Sequence, residues 1–303
     1  MAPSKDRLRG ILSLFPSAKL DEPMSLHTTF RIGGPADAYV EIDKREDLPA
    51  LFRFARENGL GVFLLGWGSN LLVRDGGIRG VVLRLRGEFE EMKFDGRRVW
   101  AGAGVRVPAL VTACAEKGLA GAEPLVGVPG TVGGALVMNA GTREGEIASL
   151  VRWVDVFDPG GLKEERLEPA RLDFRYRASN LENRVILGGG LELKPGDKVD
   201  ILRRVRELQQ RRLRTQPVHA YNVGSTFKNP PGRFAAELIE KAGLKGMRRG
   251  GAVVSPKHAN FFENEGNASA RDVLALVDAV RGSVRDKFGV DLELEMKVVG
   301  EEP

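Results

Sequence analysis

A single cysteine, Cys114, stands in 303 residues. An intrachain disulfide is therefore excluded, and a reducing, cytoplasmic setting is expected. Histidine is almost as scarce: His27, His219 and His258 are scattered along the chain. With one thiol and no clustered imidazoles, neither a zinc site nor a Cys–His nucleophile has the spacing it needs, and no metal is expected. No apolar run approaches the roughly 20 residues that cross a bilayer, so no membrane span is expected. The opening residues hold Asp6 among their basic side chains and a broken apolar run, which is not the form of a secretory leader. They read as a short amphipathic helix with Leu8, Ile11, Leu12 and Phe15 on one face. A Walker A motif is missing. So is Gly-x-Gly-x-x-Gly between a strand and a helix, since Gly102-Ala103-Gly104 lacks the third glycine; a Rossmann nucleotide domain is not expected. There are no repeats and no low-complexity linkers.

A large charge surplus is also lacking. Lys and Arg number 46 against 41 Asp and Glu, for a net charge of +5. The densest basic stretch is Arg203–Arg214, RRVRELQQRRLR. Glu207 and two glutamines interrupt it, so it reads as a solvated helix face rather than a nucleic-acid surface, and no nucleic-acid partner is expected. Some of its arginines could still face a phosphorylated small molecule.

What the chain does have is glycine in two unusual places. Pro124–Gly141, PLVGVPGTVGGALVMNAG, carries no charged side chain and shows no clean period of 2 or 3.6. It is either a buried strand with a tight turn or a backbone that approaches a ligand closely, because glycine removes the Cβ that would stand in the way and successive amides can cradle an anion. Gly66-Trp67-Gly68-Ser69-Asn70 lies between two apolar runs, Gly61–Leu65 and Leu71–Val73. An ordinary Gly/Asn turn would explain it. Free amides beside a hydroxyl and a carboxamide would equally suit a pyrophosphate. Two such loops in the first half point to a cofactor with a diphosphate, such as a dinucleotide.

The order of elements is mixed. Helices are predicted through Asn58, opened by Asp47 and Pro49 and stopped by Gly59, and from Pro108 to Lys117, stopped by Gly118. Strands are predicted at 61–65, 71–74, 81–85, 98–102, 150–159 and 185–194. After Pro195-Gly196 come helices at 198–214, 233–242 and 270–287. The last begins with a Ser269/Asp272 capping pattern and ends at Gly289. A closing strand is predicted over Val290–Val299. Hairpins mixed with helices point to the α+β class. The expected organisation is an N-terminal helix in 1–22, a first domain over 23–196 with lobes of about 23–86 and 87–196, and a second domain over 197–303.

Further short segments stand out: Asp173–Arg177, Gly224–Pro230 and Phe288–Met296. Each has a plain explanation taken alone: a surface ion pair at Arg177, a turn residue at Ser225, a polar strand face at Glu295. Together, and in order along nearly the whole chain, the segments HTTFRIGGPA (27–36), GWGSN, VPGTVGGALVMNAG, Tyr176-Arg177, GSTFKNP (224–230), KHANF (257–261) and the closing stretch resemble the UDP-N-acetylenolpyruvoylglucosamine reductases. The resemblance implies an FAD-binding half of the vanillyl-alcohol-oxidase-like (PCMH) type followed by an α+β substrate-binding domain. It implies noncovalent FAD, NADPH as reductant and a UDP-sugar as substrate. The chain also looks like the shorter family type, because Leu193 leads within a few residues to the helix at Lys198 and leaves no room for an inserted tyrosine loop.

Matched residue by residue, the resemblance makes Arg177, Ser225 and Glu295 the catalytic set. It puts cofactor contacts at Gly66, Gly68, Ser69, Asn70, Val128, Gly130, Gly133, Gly134, Asn139 and Gly141. Tyr176 and Asn229 fall toward the substrate, and Arg214, Lys228 and Lys257 are candidates for its diphosphate. Thr142-Arg143 follows Asn139-Ala140-Gly141 where the family often has an aromatic residue, and Met296 replaces the usual β-branched residue. The implied reaction reduces an enolpyruvyl ether to a lactyl ether. Arg177 would fork onto the substrate carboxylate, since a guanidinium stays charged. Glu295 would act beside it in protonated form, since two anions would otherwise face each other. Ser225 would supply the proton, with Lys228 as a neighbour that acidifies it. A monomer is expected. Two rival readings are an alcohol or sugar oxidase of the same architecture with covalent FAD, and a nucleic-acid module centred on Arg203–Arg214.

Overall fold

The computed structural model describes residues 5–303. The first four residues of the predicted N-terminal segment lie outside that range. The described chain forms two units. The first comprises the residues up to Lys19 with Ala38–Trp67 and Gly80–Arg211; the second comprises Leu20–Asp37, Gly68–Arg79 and Arg212–Pro303. This grouping differs from a single cut at 196/197. The physical reason lies in long-range pairing inside the second unit. The short strand Leu71–Val73 runs parallel to Lys297–Val299, and the Asp75 carboxylate accepts from the amides of Ala270 and Arg271 at 2.8 and 3.0 Å.

In the first unit, the helix Lys5–Leu14 buries Leu8 and Ile11. Gly10 lets it sit close on the ring of Phe54, where a Cβ would lie 2.9 Å from a ring carbon. Leu12, expected on the buried face, is exposed; the buried contact of this helix is confined to Leu8 and Ile11, with Phe15 half-buried just past its end. The helix Leu48–Glu57 buries Leu48, Leu51 and Ala55. Strands Pro35–Ile42, Ile78–Leu85 and Val62–Leu65 lie in that order, the last two parallel. A five-stranded antiparallel sheet follows, in the order Lys163–Leu167, Val151–Asp158, Val185–Glu192, Arg98–Gly102, Met92–Asp95. Its central strand carries Gly188, Gly189 and Gly190. A Cβ at Gly190 would fall 2.1 Å from the indole of Trp153, and one at Gly188 would fall 2.5 Å from that of Trp100. The glycine run is therefore the seat of two tryptophans.

The uncharged tract resolves into a 3-10 turn, Glu123–Gly127, and a short helix, Val132–Val137. The helix starts where the Thr131 hydroxyl accepts from the amide of Gly134. It is neither a strand nor a bare loop.

The second unit packs helices Ala235–Lys241 and Ala270–Phe288 on a three-stranded antiparallel sheet, Arg248–Arg249, Ala252–Val254 and Phe262–Asn264. Phe30, Leu72, Phe227, Phe262, Leu276 and Val280 lie in one apolar core. The rings of Phe227 and Phe262 meet edge-to-face at 5.9 Å. The capping box at Ser269 and Asp272 forms, and Gly289 closes the helix at φ 65°. The closing strand is shorter than expected, Lys297–Val299; before it only Leu294 pairs, in a bridge to Phe227.

Candidate active site

The second unit gathers three of the expected residues. Residues 221–225 run antiparallel to the strand Phe262–Asn264 and the residue before it, through bridges Tyr221↔Asn264 and Ser225↔Phe261. Asn260, from the KHANF segment, clasps Phe227, two residues beyond Ser225: its carboxamide oxygen accepts from the Phe227 amide at 3.0 Å and its NH2 donates to the Phe227 carbonyl at 2.8 Å. The carbonyl of Thr226 accepts from the amides of Glu295 and Met296 at 2.9 and 3.3 Å. Ser225 and Glu295, far apart in sequence, thus sit on neighbouring backbone. Asn70 closes the other side. Its side chain donates to the Glu295 carbonyl at 3.0 Å, and its own carbonyl accepts from Lys297 at 3.0 Å. The Ser225 hydroxyl makes no hydrogen bond within this unit.

The HTTFRIGG motif serves this arrangement as scaffold. The Thr29 hydroxyl donates to the Asn222 carbonyl at 2.7 Å, its amide donates to the Gly68 carbonyl at 3.1 Å, and the Thr28 hydroxyl donates to the Ile32 carbonyl. Gly68 has no room for a side chain, since a Cβ would lie 2.2 Å from the His27 carbonyl oxygen.

Two of the substrate-side cations, Lys228 and Lys257, are engaged. The Lys228 ammonium is ion-paired with Glu293, which weakens it as a neighbour that acidifies Ser225. Lys257 donates to the carbonyl of Leu213 at 2.6 Å, near the negative end of the helix Lys198–Thr215. The Asn229 carboxamide oxygen accepts from the amide of Ala235, which starts a helix. Arg214 is exposed on its helix.

The first unit holds the other set. Tyr176 and Arg177 are the two loop residues of a hairpin, Phe174–Arg175 with Ala178–Ser179. Two-residue hairpin loops favour positive φ, and Arg177 has φ 56°. Its guanidinium donates to the Gly141 carbonyl at 3.0 Å and lies 5.0 Å from the ring centroid of Tyr176, whose side chain is exposed. The hairpin is tied to the uncharged tract by Asn139. That side chain is fully buried; it donates to the Arg175 carbonyl at 3.0 Å and accepts from the Ala148 amide at 3.2 Å. The sequence marks Asn139 only by its place in a motif. The hydrogen bonds show an anchor for the Arg177 turn.

The two glycine loops meet in this unit. A Cβ on Gly66 would stand 2.8 Å from the Thr131 hydroxyl. In the second loop, the amides of Gly130 and Gly133 already donate to Val128 and Ala103 carbonyls, at 3.1 and 2.9 Å. Gly133 also lets its helix rest on Ala103, and Gly141 sits tightly against Gly145 and Glu146 in a small hairpin. By contrast, the amides of Gly66, Trp67 and Thr131 donate to no acceptor among the described residues, and the same holds for Gly68 and Ser69 in the second unit. Unused main-chain donors of this kind are the chemistry a diphosphate requires.

The rival features look different in place. Cys114 is fully buried in the helix Val107–Glu116, and burial pushes its thiol up to about 12. A neutral, enclosed thiol is a poor point of covalent attachment. His27 pairs with Glu22 at 2.8 Å. In the basic stretch, Arg204 and Arg211 both pair with Glu144, and Arg203 pairs with Asp200, so the stretch is not a bare cationic face. Among the described residues, no helix is long and apolar enough to cross a membrane.

Comparison with known proteins agrees with this geometry. Residues 36–164 match the FAD binding domain family, and residues 216–299 match the UDP-N-acetylenolpyruvoylglucosamine reductase, C-terminal domain family. The UDP-N-acetylenolpyruvoylglucosamine reductase 2 of Symbiobacterium thermophilum is 46% identical over 100% of this chain and 99% of its own length. The chain belongs to the UDP-N-acetylenolpyruvoylglucosamine reductase family. The family enzyme of Rubrobacter xylanophilus is 44% identical over 95% of this chain and 97% of its own. The crystal structure of the reductase from Thermus caldophilus covers 94% of this chain and 98% of its own at 40% identity, with a TM-score of 0.80. The α+β class and the FAD-binding half expected from the motifs therefore hold for this family member.

Proposed function

We propose that the chain reduces the enolpyruvyl ether of UDP-N-acetylglucosamine to the lactyl ether of UDP-N-acetylmuramate, a step in peptidoglycan precursor synthesis, in the cytoplasm and as a monomer. Family membership supports the reaction. The observation that carries the reading is the hydrogen bond from the Glu295 amide to the carbonyl of Thr226, the residue after Ser225, with Asn70 of the first glycine loop against the Glu295 carbonyl. FAD, when bound, carries two electrons from NADPH to the substrate. Its diphosphate suits the unused amides of Gly66, Trp67 and Thr131 in the first unit, and the residues proposed as cofactor contacts include Gly68, Ser69, Asn70, Val128, Gly130, Gly133, Gly134, Asn139 and Gly141.

In the reaction the terminal vinyl carbon gains hydride and the carbon bearing the carboxylate gains a proton. Negative charge builds on that carboxylate between the two events. Arg177 is the proposed partner for it; a fixed cationic donor aimed at developing charge contributes roughly 3–4 kcal/mol. The hairpin turn and the Gly141 carbonyl hold the guanidinium in one orientation, so little reorganisation is needed when charge appears. Ser225 is the proposed proton donor. Its hydroxyl is not committed within its unit, so its proton is available to the substrate carbon. Glu295 in protonated form steadies the carboxylate, and Tyr176, Asn229, Lys228, Lys257 and Arg214 are proposed toward the UDP-sugar.

The test is an anaerobic absorbance titration of the purified chain. Yellow protein should bleach with NADPH and regain its colour with one equivalent of the enolpyruvyl sugar. Colourless protein, or bleached protein that the enolpyruvyl sugar leaves bleached, would overturn the reading.

A further inference from the structure

Where the two glycine loops of the first unit meet, an indole carries two guanidinium groups. The Arg106 guanidinium carbon lies 3.3 Å from a ring centroid of Trp67, and that of Arg84 lies 5.2 Å from it. Both side chains are half-buried. Arg106 stands directly before the helix Val107–Glu116 and pairs in a bridge with Thr131. Trp67 follows Gly66, the residue that abuts the Thr131 hydroxyl.

Such an arrangement is unfavourable without an anion. Like charges repel, and burial removes the water that would screen them. The Arg106 proton is held less tightly than usual, first through burial and then through the charge of Arg84. Its Nε is buried with no hydrogen-bond partner among the described residues. Among the described residues neither arginine has a carboxylate within ion-pair distance. Arg84 reaches the Tyr39 hydroxyl, which in turn donates to Glu41. Cation–π contact with one indole holds both groups in place but neutralises neither. The unused amides of Gly66, Trp67 and Thr131 lie on the same loops.

We propose that Arg84 and Arg106, positioned on Trp67, form a cationic clamp for the diphosphate of the flavin dinucleotide. The clamp rests on the FAD reading above and adds side-chain charge to the main-chain donors. A guanidinium suits the task because its planar fork can give two hydrogen bonds to phosphate oxygens while its face stays on the ring. The 2′-phosphate of NADPH offers the same chemistry, and the test separates the two.

Arg106→Gln, Arg84→Gln, the double variant and Arg106→Lys are prepared in the full chain. Dissociation constants for FAD and riboflavin are measured by flavin fluorescence at two salt concentrations, with thermal melting as a check on folding. Loss of a charge-assisted hydrogen bond should weaken FAD about 10-fold in each single variant and about 100-fold in the double. Riboflavin, which has no phosphate, should bind as before. Arg106→Lys should recover part of the loss, and the salt dependence of FAD binding should flatten in the double variant. Unchanged FAD affinity in folded variants overturns the clamp, as does an equal loss for riboflavin. A higher KM for NADPH but not NADH, with FAD affinity intact, overturns it in favour of the reductant's phosphate. Wild-type protein that binds no FAD would instead sink the underlying functional reading.

Discussion

Asn139→Ala separates an anchor from a cofactor ligand. In the folded chain the Asn139 carboxamide is fully buried and bonds two main-chain groups, the Arg175 carbonyl and the Ala148 amide. Alanine leaves both without a partner, at roughly 1–3 kcal/mol each. The backbone there has φ 42°, a region asparagine tolerates better than alanine. A total loss of about 2–5 kcal/mol is expected, read as a lower urea midpoint with an unchanged slope. Asn139→Asp keeps the acceptor for Ala148 but turns a carboxylate oxygen toward the Arg175 carbonyl in a buried site, so it should lose at least as much. The hairpin carrying Arg177 is then no longer tied to the tract before it. Oxidation of the reduced enzyme by the enolpyruvyl sugar should slow, while its reduction by NADPH stays near wild type. A stability change within about 0.5 kcal/mol, the range of ordinary surface substitutions, would refute the two buried bonds. A loss confined to FAD affinity would refute the anchor and leave Asn139 with only its proposed cofactor contact.

Three further outcomes follow from the packing. Phe227→Ala empties a fully buried site against Phe262 and should cost about 3–5 kcal/mol in denaturant unfolding. The amide of Ser269 is the main reason the Asp272 carboxyl titrates below its ordinary 3.8, with Gly251 and Arg271 adding to it. Its ionised form is therefore favoured by the fold, so its contribution is present above about pH 4 and is lost as pH falls through the folded value. Asp272→Asn should flatten the acid limb of a stability–pH curve, and an unchanged limb would contradict this. Cys114, held neutral by burial, should resist an aromatic disulfide reagent at pH 8 until denaturant is added.

Local chemistry was legible and long-range pairing was not. The helix Ala270–Phe288 is announced at both ends by Ser269, Asp272 and Gly289, and it forms as expected. The stretch 290–299 alternates like a strand, yet only Lys297–Val299 joins a ladder. Its earlier residues instead fold around Thr226 and Asn70, partners that no local pattern names. The uncharged tract shows the same limit. Glycines 133 and 134 argue against a helix by propensity, but Thr131 caps one, and Gly133 is required by the close approach of Ala103. The grouping of residues 20–37 and 68–79 with the C-terminal third depends on pairings across more than half the chain, which composition cannot reveal. At the site, motif order pointed to Arg177, Ser225 and Glu295, but gave no hint of the stack of Arg84 and Arg106 on Trp67. Its three members come from separate elements and form no motif in sequence.

The most direct test of the proposed chemistry is Ser225→Ala followed through its two half-reactions by stopped-flow absorbance. A hydroxyl that gives the final proton takes no part in taking electrons from NADPH. Reduction by NADPH should therefore match wild type within about 2-fold, while reoxidation by the enolpyruvyl sugar should fall by about 10²-fold or more, the usual contribution of a positioned proton donor. Equal losses in both steps, or reoxidation at the wild-type rate, would contradict the role assigned to Ser225.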